Sequence, residues 1–486
     1  MFWRGVVGYL PMNIVQGLTG LFSIVVFTRW LSPADYGVYA LAFSGMSLTH
    51  TLVFAWMEAA MARFYAPEAH AEDDGARLAD LFATLYRCWA VAALAFTLIA
   101  GATLIAWPGG GPVKVAVAAG FAAILTRSLL KLNQERRRAA GDVKGAALMD
   151  MAQTLGGFAV GAGLIGLGLK GAAPVSGLGA AAAVVLVFVL PAELKRGVRG
   201  SFVSAKAQAY AGYGLPVALS LMLALALATT DRFLIAGFLG ETAVGVYHAG
   251  YSLANRTLDV MFIWLGAAGG PALIVALERG GHAALQKAAR EQAGFMLALA
   301  LPASVGLALV ARPLADVMVG QALRDGAAAV TPWIAASALF SGLTTYYTHQ
   351  AFTLGRRTGL LLLAMSIPAA ANVGLNLVLI PRLGLTGAMV ATTASYGLGL
   401  VASIALGRLA RRLPLPFSEA LRAGAATLVM AAVVMRLPAS GGALELLLKA
   451  GGGALVYAAA AYVFDVGSLR SRSRQAVGML RARMAT

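Results

Sequence analysis

A handful of charged and amide side chains interrupt stretches that are otherwise apolar. Asn255, Arg256 and Asp259 fall inside the run 243–270. On a helix, spacings of three and four set Asp259 beside both Arg256 and Asn255 on one face. Two chemistries fit that trio. One is an ion pair that holds packing; the other is an anion site where Arg256 meets phosphate or sugar hydroxyls and Asp259 tunes it. Asp231 and Arg232 lie in the outer third of the run 212–238. Adjacent residues point about 100° apart on a helix, so these two do not face one partner together. Arg232 is expected to snorkel to the outer interface while Asp231 bonds locally, or to guard an outer mouth with Arg29. Arg87 sits one or two turns into 79–106 and is expected to face a cavity; Arg127, near the inner end of 113–130, reads either as snorkelling or as a further cavity residue. Guanidinium suits a diphosphate because its planar fork donates bidentately and stays charged.

Other polar positions read as packing. Asn13, Gln16, Gly20, Ser23 and Phe27 form a stripe at helical steps, and Asn372 and Asn376 repeat the i, i+4 spacing. Small residues permit close helix contact there and amides bond across it, with sugar-facing amides, Asn13 among them, as the other reading. Gly161 to Gly166 matches a dinucleotide-binding pattern by letters but lies in an apolar run with no strand before it, so it reads as helix packing. His70 with Glu68, Glu72, Asp73 and Asp74 reads as an exposed acidic loop, not a metal site. His50, His248 and His349 read as packing or hydrogen-bonding residues.

The elements that must position these groups are membrane helices. A bilayer core needs roughly 20 mostly apolar residues per helix, and the chain offers fourteen such stretches: 7–27, 36–57, 79–106, 113–130, 147–168, 174–191, 212–238, 243–270, 289–310, 327–354, 359–380, 385–406, 420–436 and 444–464. A charge near a helix centre costs about 2.5–3.5 kcal/mol on insertion scales, so each residue named above needs a reason to be there. Lys and Arg crowd alternate loops, as at Arg136 to Arg138, Lys195 to Arg199 and Arg408 to Arg412. Basic short loops stay cytoplasmic, which predicts both termini inside a multi-pass inner-membrane protein.

Composition agrees with that solvent. Charged residues are 12% and apolar residues 59% of the 486, against about a quarter and a half in soluble domains. The net charge of +17 is mostly loop charge that faces anionic lipid headgroups, not nucleic acid. The Arg-rich tail 470–483 is expected to lie on the same surface. Arg4 precedes the first apolar run, but Asn13 and Gln16 interrupt it and no cleavage site follows, so it is expected to persist as a helix. The lone cysteine, Cys88, admits no intramolecular disulfide. No G-x-x-x-x-G-K-[ST] motif occurs, so a gradient or the membrane potential must drive any transport. The loops are too short to hold a soluble catalytic domain.

The chain also repeats itself. Gly8-Tyr9-Leu10-Pro11 is echoed by Gly212-Tyr213-Gly214-Leu215-Pro216, and Tyr36-Gly37-Val38-Tyr39 by Val244-Gly245-Val246-Tyr247. This predicts an all-α membrane fold of two six-helix lobes, 1–200 and 201–410, related by a pseudo-two-fold along the membrane normal, with two further helices and a basic cytoplasmic tail in 411–486. Such parallel repeats put a central site between the lobes, where Arg256 and Arg87 are expected.

At these residues a resemblance becomes specific. Phe27-Thr28-Arg29-Trp30-Leu31-Ser32-Pro33-Ala34-Asp35-Tyr36-Gly37-Val38-Tyr39 resembles the first turn between helices in bacterial polysaccharide (O-antigen-type) flippases of the multidrug/oligosaccharidyl-lipid/polysaccharide (MOP) exporter superfamily. Thr230-Asp231-Arg232-Phe233 through Gly240 resembles that family's seventh-helix motif. The resemblance implies a non-enzymatic transporter that flips an undecaprenyl-diphosphate-linked glycan across the inner membrane by alternating access. It implies no cofactor and leaves the coupling ion, Na+ or H+, open. Its partners would be membrane lipid, the anionic polyprenyl-diphosphate glycan and polysaccharide-synthesis membrane proteins. The competing functions are a cation-coupled exporter of small molecules and a membrane glycan polymerase or ligase. The first would want carboxylates in its spans, where this chain has more Arg. The second would need a sizeable outer loop.

Overall fold

The structure, a computed structural model, describes residues 2–70, 75–108 and 111–470, apart from the side chains of 2–11 and 267–268. No strand occurs among them. The α-helices in chain order are α1 (Phe2–Trp30), α2 (Pro33–Val53), α3 (Ala55–Ala69), α4 (Ala76–Ala106), α5 (Pro112–Ala139), α6 (Val143–Gly166), α7 (Ala173–Val198), α8 (Ser204–Leu239), α9 (Glu241–Leu309), α10 (Ala311–Met318), α11 (Arg324–Leu343), α12 (Gln350–Leu354), α13 (Thr358–Leu383), α14 (Leu385–Ala410), α15 (Phe417–Val434) and α16 (Gly442–Val463). A single π-helical turn, Thr344–Thr348, joins α11 to α12.

Among the described residues, twelve helices are long and apolar enough to cross a bilayer, or thirteen if the bent pair α2 and α3 is one span. Fourteen were expected, and α9 explains the difference. Its 69 residues would run about 100 Å at 1.5 Å per residue, some three bilayer cores. At Gly281 the backbone turns to φ 65°, ψ −154°, a region essentially closed to residues with a Cβ. The helix therefore consists of two arms, which correspond to the separate runs 243–270 and 289–310. Large apolar side chains point outward along the spans, among them Leu98, Ile105, Phe188 and Leu428. In lipid that exposure is favourable.

The chain divides into two compact units, Met1–Gly245 and Val246–Thr486. In the first, α6 packs against α7, and α5 packs against both α7 and α2. Glycine sets these approaches: a Cβ at Gly177 would sit 2.4 Å from the Gly161 nitrogen, and one at Gly179 would sit 2.8 Å from Ala123 Cβ. Gly161 thus serves helix packing. Helix α8 packs on α2, α3 and α4, with Gly214 pressed to the Trp56 carbonyl.

The two copies of the repeated Gly-Val-Tyr motif touch. A Cβ at Gly37 would lie 1.8 Å from the Glu241 carbonyl oxygen, and one at Gly245 would lie 2.0 Å from that of Pro33. Each glycine meets the carbonyl four residues before the other, so the contact is reciprocal. Small residues at a crossing let backbones close in this way. Ser32 caps α2, its Oγ accepting the Asp35 N–H at 3.1 Å, with Pro33 at the first helical position, where its missing N–H costs nothing.

The α2–α3 span bends by 48° without a proline. Phe54, at φ −117°, is buried between Phe96 and Trp89 at ring-centroid distances of 6.2 and 6.3 Å. Burying that ring in the core fixes the kink, an identifiable packing cause. In the second unit, α13 and α11 both pack against α14, and α15 packs against α16. Phe262 and Tyr346 stack at 6.1 Å with 3° between planes, over Gly342, where a Cβ would meet the Phe262 ring at 2.3 Å.

Candidate functional site

The polar site in the first unit grows from the α2–α3 bend. His50 and Glu58 flank Phe54, and the bend brings His50 Nε2 to 2.8 Å from Glu58 Oε1. Opposite them α5 presents Arg127 and, one turn on, Lys131. Together with Met46, Ser47, Thr51, Ala55, Ile124 and Leu221 of α8, these residues line a cavity of about 240 Å³. Arg127 donates from Nη1 only to the Met46 sulfur, at 3.4 Å, and its buried Nε has no partner. A guanidinium has five donors in a fixed fork, so most of its capacity is turned to the cavity. Lys131 makes no ion pair among the described residues. Two cations thus face one carboxylate, already held by His50. Such a cavity is built to receive an anion with several oxygens.

Sequence reasoning missed this cluster for a physical reason. The expected spans ended at 57 and 130, one residue short of Glu58 and Lys131. Helices α3 and α5 in fact run on to Ala69 and Ala139, so both residues are helical and line the cavity. His50, expected to serve packing or hydrogen bonding, bonds Glu58. Arg127, which read either as snorkelling or as a cavity residue, lines the cavity. Further along, Glu68 is buried, not part of an exposed loop, and takes bonds from Lys206 at 3.0 Å, Arg77 at 3.3 Å and Tyr210 at 3.3 Å. Glu72, Asp73 and Asp74 lie outside the described residues, as does the tail beyond Arg470. No group of three metal-ligating side chains occurs among the described residues.

In the second unit, Asn255 Nδ2 donates to Asp259 Oδ2 at 2.5 Å, and Arg256 forms no ion pair with Asp259. The buried ion pair considered above is therefore absent. Arg256 and Asp259 are both exposed on α9. Arg256, Val260 and Trp264 follow at steps of four on one face. Val260 and Trp264 line an apolar cavity of about 680 Å³ with Phe295, Met296 and Leu299 of the other arm. An elongated hydrocarbon fits such a lining.

The remaining expected residues are dispersed. Asp231 and Arg232 are buried, at 0% and 4% exposure, and Arg232 does not snorkel. Its Nη1 turns back to Asp231 Oδ1 at 3.2 Å and to the Ala228 carbonyl at 2.5 Å, so the long side chain overcomes the angular offset of neighbours. Arg29 is exposed at the end of α1, and Asn13 is exposed nearer its start. Arg87 shares the exposed apolar face of α4 with Val91, Leu94 and Leu98 and does not line the Arg127 cavity. Asn376 Nδ2 bonds the Asn372 carbonyl at 2.8 Å and its Oδ1 at 3.1 Å, within α13 and not across to a neighbour.

The model of a family described as polysaccharide biosynthesis protein matches residues 26–326. The chain belongs to that family. The fold is that of MOP-superfamily transporters. It is similar to a lipid II flippase, MurJ, in an inward closed conformation, with TM-score 0.75, 13% identity, and coverage of 95% of this chain and 98% of that one. It is also similar to an inward-facing multidrug resistance MATE family transporter of the MOP superfamily, with TM-score 0.67, 13% identity, and coverage of 83% and 97%. No curated protein matches the sequence. This polysaccharide biosynthesis family member is thus a multi-pass membrane transporter.

Proposed function

We propose that the protein flips a polyprenyl-diphosphate-linked oligosaccharide from the cytoplasmic leaflet of the inner membrane to its periplasmic leaflet by alternating access, for cell-surface polysaccharide synthesis. The observation that carries this reading is the cavity in which Arg127 and Lys131 face inward beside a single carboxylate, Glu58, that is paired with His50 and forms an ion pair with neither of them. A diphosphate supplies the missing oxygens. Ser47 and Thr51 offer hydroxyls to the same ligand. The exposed Arg256 is a second anion contact, and the apolar cavity beside it on α9 suits a prenyl chain. A cationic drug would meet the wrong sign here, since the one carboxylate in the first cavity is engaged by His50.

Binding of undecaprenyl diphosphate to the purified protein tests the reading. A ligand that binds only the folded form stabilises it in proportion to RT ln(1 + [L]/Kd). Undecaprenyl diphosphate should raise the melting temperature of the wild type, and undecaprenol should not. In Arg127→Ala/Lys131→Ala the affinity should fall at least about tenfold, since one charge-assisted hydrogen bond contributes about 1.5–3 kcal/mol. Arg127→Lys should recover little of it, because Lys cannot donate bidentately. Equal stabilisation of wild type and double variant would remove this cavity from substrate binding.

A further inference from the structure

His50 and Glu58 are eight residues apart. In a straight helix they would stand about 12 Å apart along the axis and about 80° apart around it. Their 2.8 Å contact exists because Phe54 bends the span by 48°. The pair is consequently a reporter of that bend. It is made in this conformation and pulled apart by any motion that straightens α2 onto α3.

The pair also sets the charge of the cavity. The charged and titratable groups facing Glu58 are His50 from α2 and Arg127 and Lys131 from α5. Helix α8 contributes only Leu221 to the lining; of the two arginines of α4, Arg87 is on that helix's exposed face and Arg77 bonds Glu68. With Glu58 ionised and His50 neutral, the four groups sum to one positive charge. One proton added to the pair, on His50 or on Glu58, raises the sum to two. Both side chains are mostly buried, at 14% and 17% exposure, so that extra charge acts on a neighbouring anion with little screening.

We propose that His50 and Glu58 form a proton-binding site that fills together with an anionic headgroup in the Arg127–Lys131 cavity and is made and broken by the bend of the second span. The inference rests on the anion-binding reading above. It adds the proton as a second ligand and names where it sits. No bond other than the N–H or O–H of the pair forms, and the proton comes from solvent through the open cavity. Because binding energies are reciprocal, an anion that prefers the protonated pair must draw a proton in. A carrier that straightens the span separates His50 from Glu58, and the two groups then hold a proton differently in its two states. The loaded proton also lowers by one the charge that crosses with each headgroup.

The experiment is proton uptake by the full-length protein in weakly buffered detergent, read with a pH dye, on addition of undecaprenyl diphosphate. Wild type should take up about one proton more per ligand bound than Glu58→Gln, and by linkage its affinity should weaken about tenfold per unit of pH where the pair is unloaded. The ligand's own ionisation enters both measurements and drops out of the comparison. The double variant His50→Gln/Glu58→Gln, whose two amides can still hydrogen-bond but hold no proton, should lose the same uptake and serves if Glu58→Gln alone does not fold. Ligand binding with equal uptake in wild type and variant overturns the proton site alone. No binding to wild type at all overturns both this inference and the reading beneath it.

Discussion

Glu193 shows what a buried charge does in this chain when it is structural. Its carboxylate, 2% exposed, accepts from Arg136 at 2.8 Å, Arg196 at 2.9 Å and the Tyr86 hydroxyl at 3.3 Å, so every oxygen is occupied. Glu193→Ala would strand Arg136 and should cost about 3–5 kcal/mol, the usual penalty for breaking a buried pair. A sharply lower melting temperature or loss of folded protein checks it; an unchanged melting temperature would contradict it. Arg127 is the opposite case, a guanidinium whose fork is left open to a cavity. The sequence disclosed Arg127, Arg256 and Asp231–Arg232 as charges inside apolar runs, because insertion cost makes each one conspicuous. It hid Glu58 and Lys131, which stand one position past the ends that bilayer thickness assigns to their spans. Which way Arg87 faces was equally unreadable, since α4 carries apolar residues on more than one face.

Among the elements, the reciprocal glycine contact at the starts of α2 and α9 was legible as a repeated motif, though nothing in the letters said that the copies touch. Gly37→Ala would place a methyl group 1.8 Å from a backbone carbonyl and force the helices apart. It should reduce both thermal stability and transport. Gly101→Ala, in open space on α4, should leave both intact or gain up to about 1 kcal/mol from helix propensity. Equal effects at the two sites would refute the contact. The bend at Phe54 was not legible, because its cause is an aromatic packed by residues far along the chain. Asp142, outside the spans, caps α6. The Gly145 N–H at 2.9 Å and then Arg137 at 2.7 Å hold its carboxyl below the usual aspartate range. A lowered value contributes stability above the unfolded range and loses it as pH falls through the folded value. Asp142→Ala should cost about 1 kcal/mol near neutrality, and thermal unfolding should show the gap to wild type closing in acid.

At the scale of the whole molecule, apolar periodicity and loop charge were enough to read an all-helical membrane protein, and the expected spans recur as helices once α9 is divided at Gly281. The repeat predicts lobes at 1–200 and 201–410, whereas the compact units, Met1–Gly245 and Val246–Thr486, are defined by which helices pack and not by where the repeat begins. Orientation is open to a direct check. In a Cys88→Ala background, a cysteine beside Arg137 should resist a membrane-impermeant thiol reagent applied from the periplasm, while one beside Lys170 should react; the reverse pattern would invert the topology. The central claim, that a cationic cavity carries an anionic lipid-linked glycan, is tested most directly by transport in proteoliposomes. A fluorescent polyprenyl-diphosphate oligosaccharide should become accessible on the opposite leaflet with wild-type protein, and Arg127→Ala/Lys131→Ala, reconstituted to the same level, should move it no faster than empty vesicles. Wild-type rates in that variant, or movement of cationic dyes but not of the glycan by the wild type, would contradict the account.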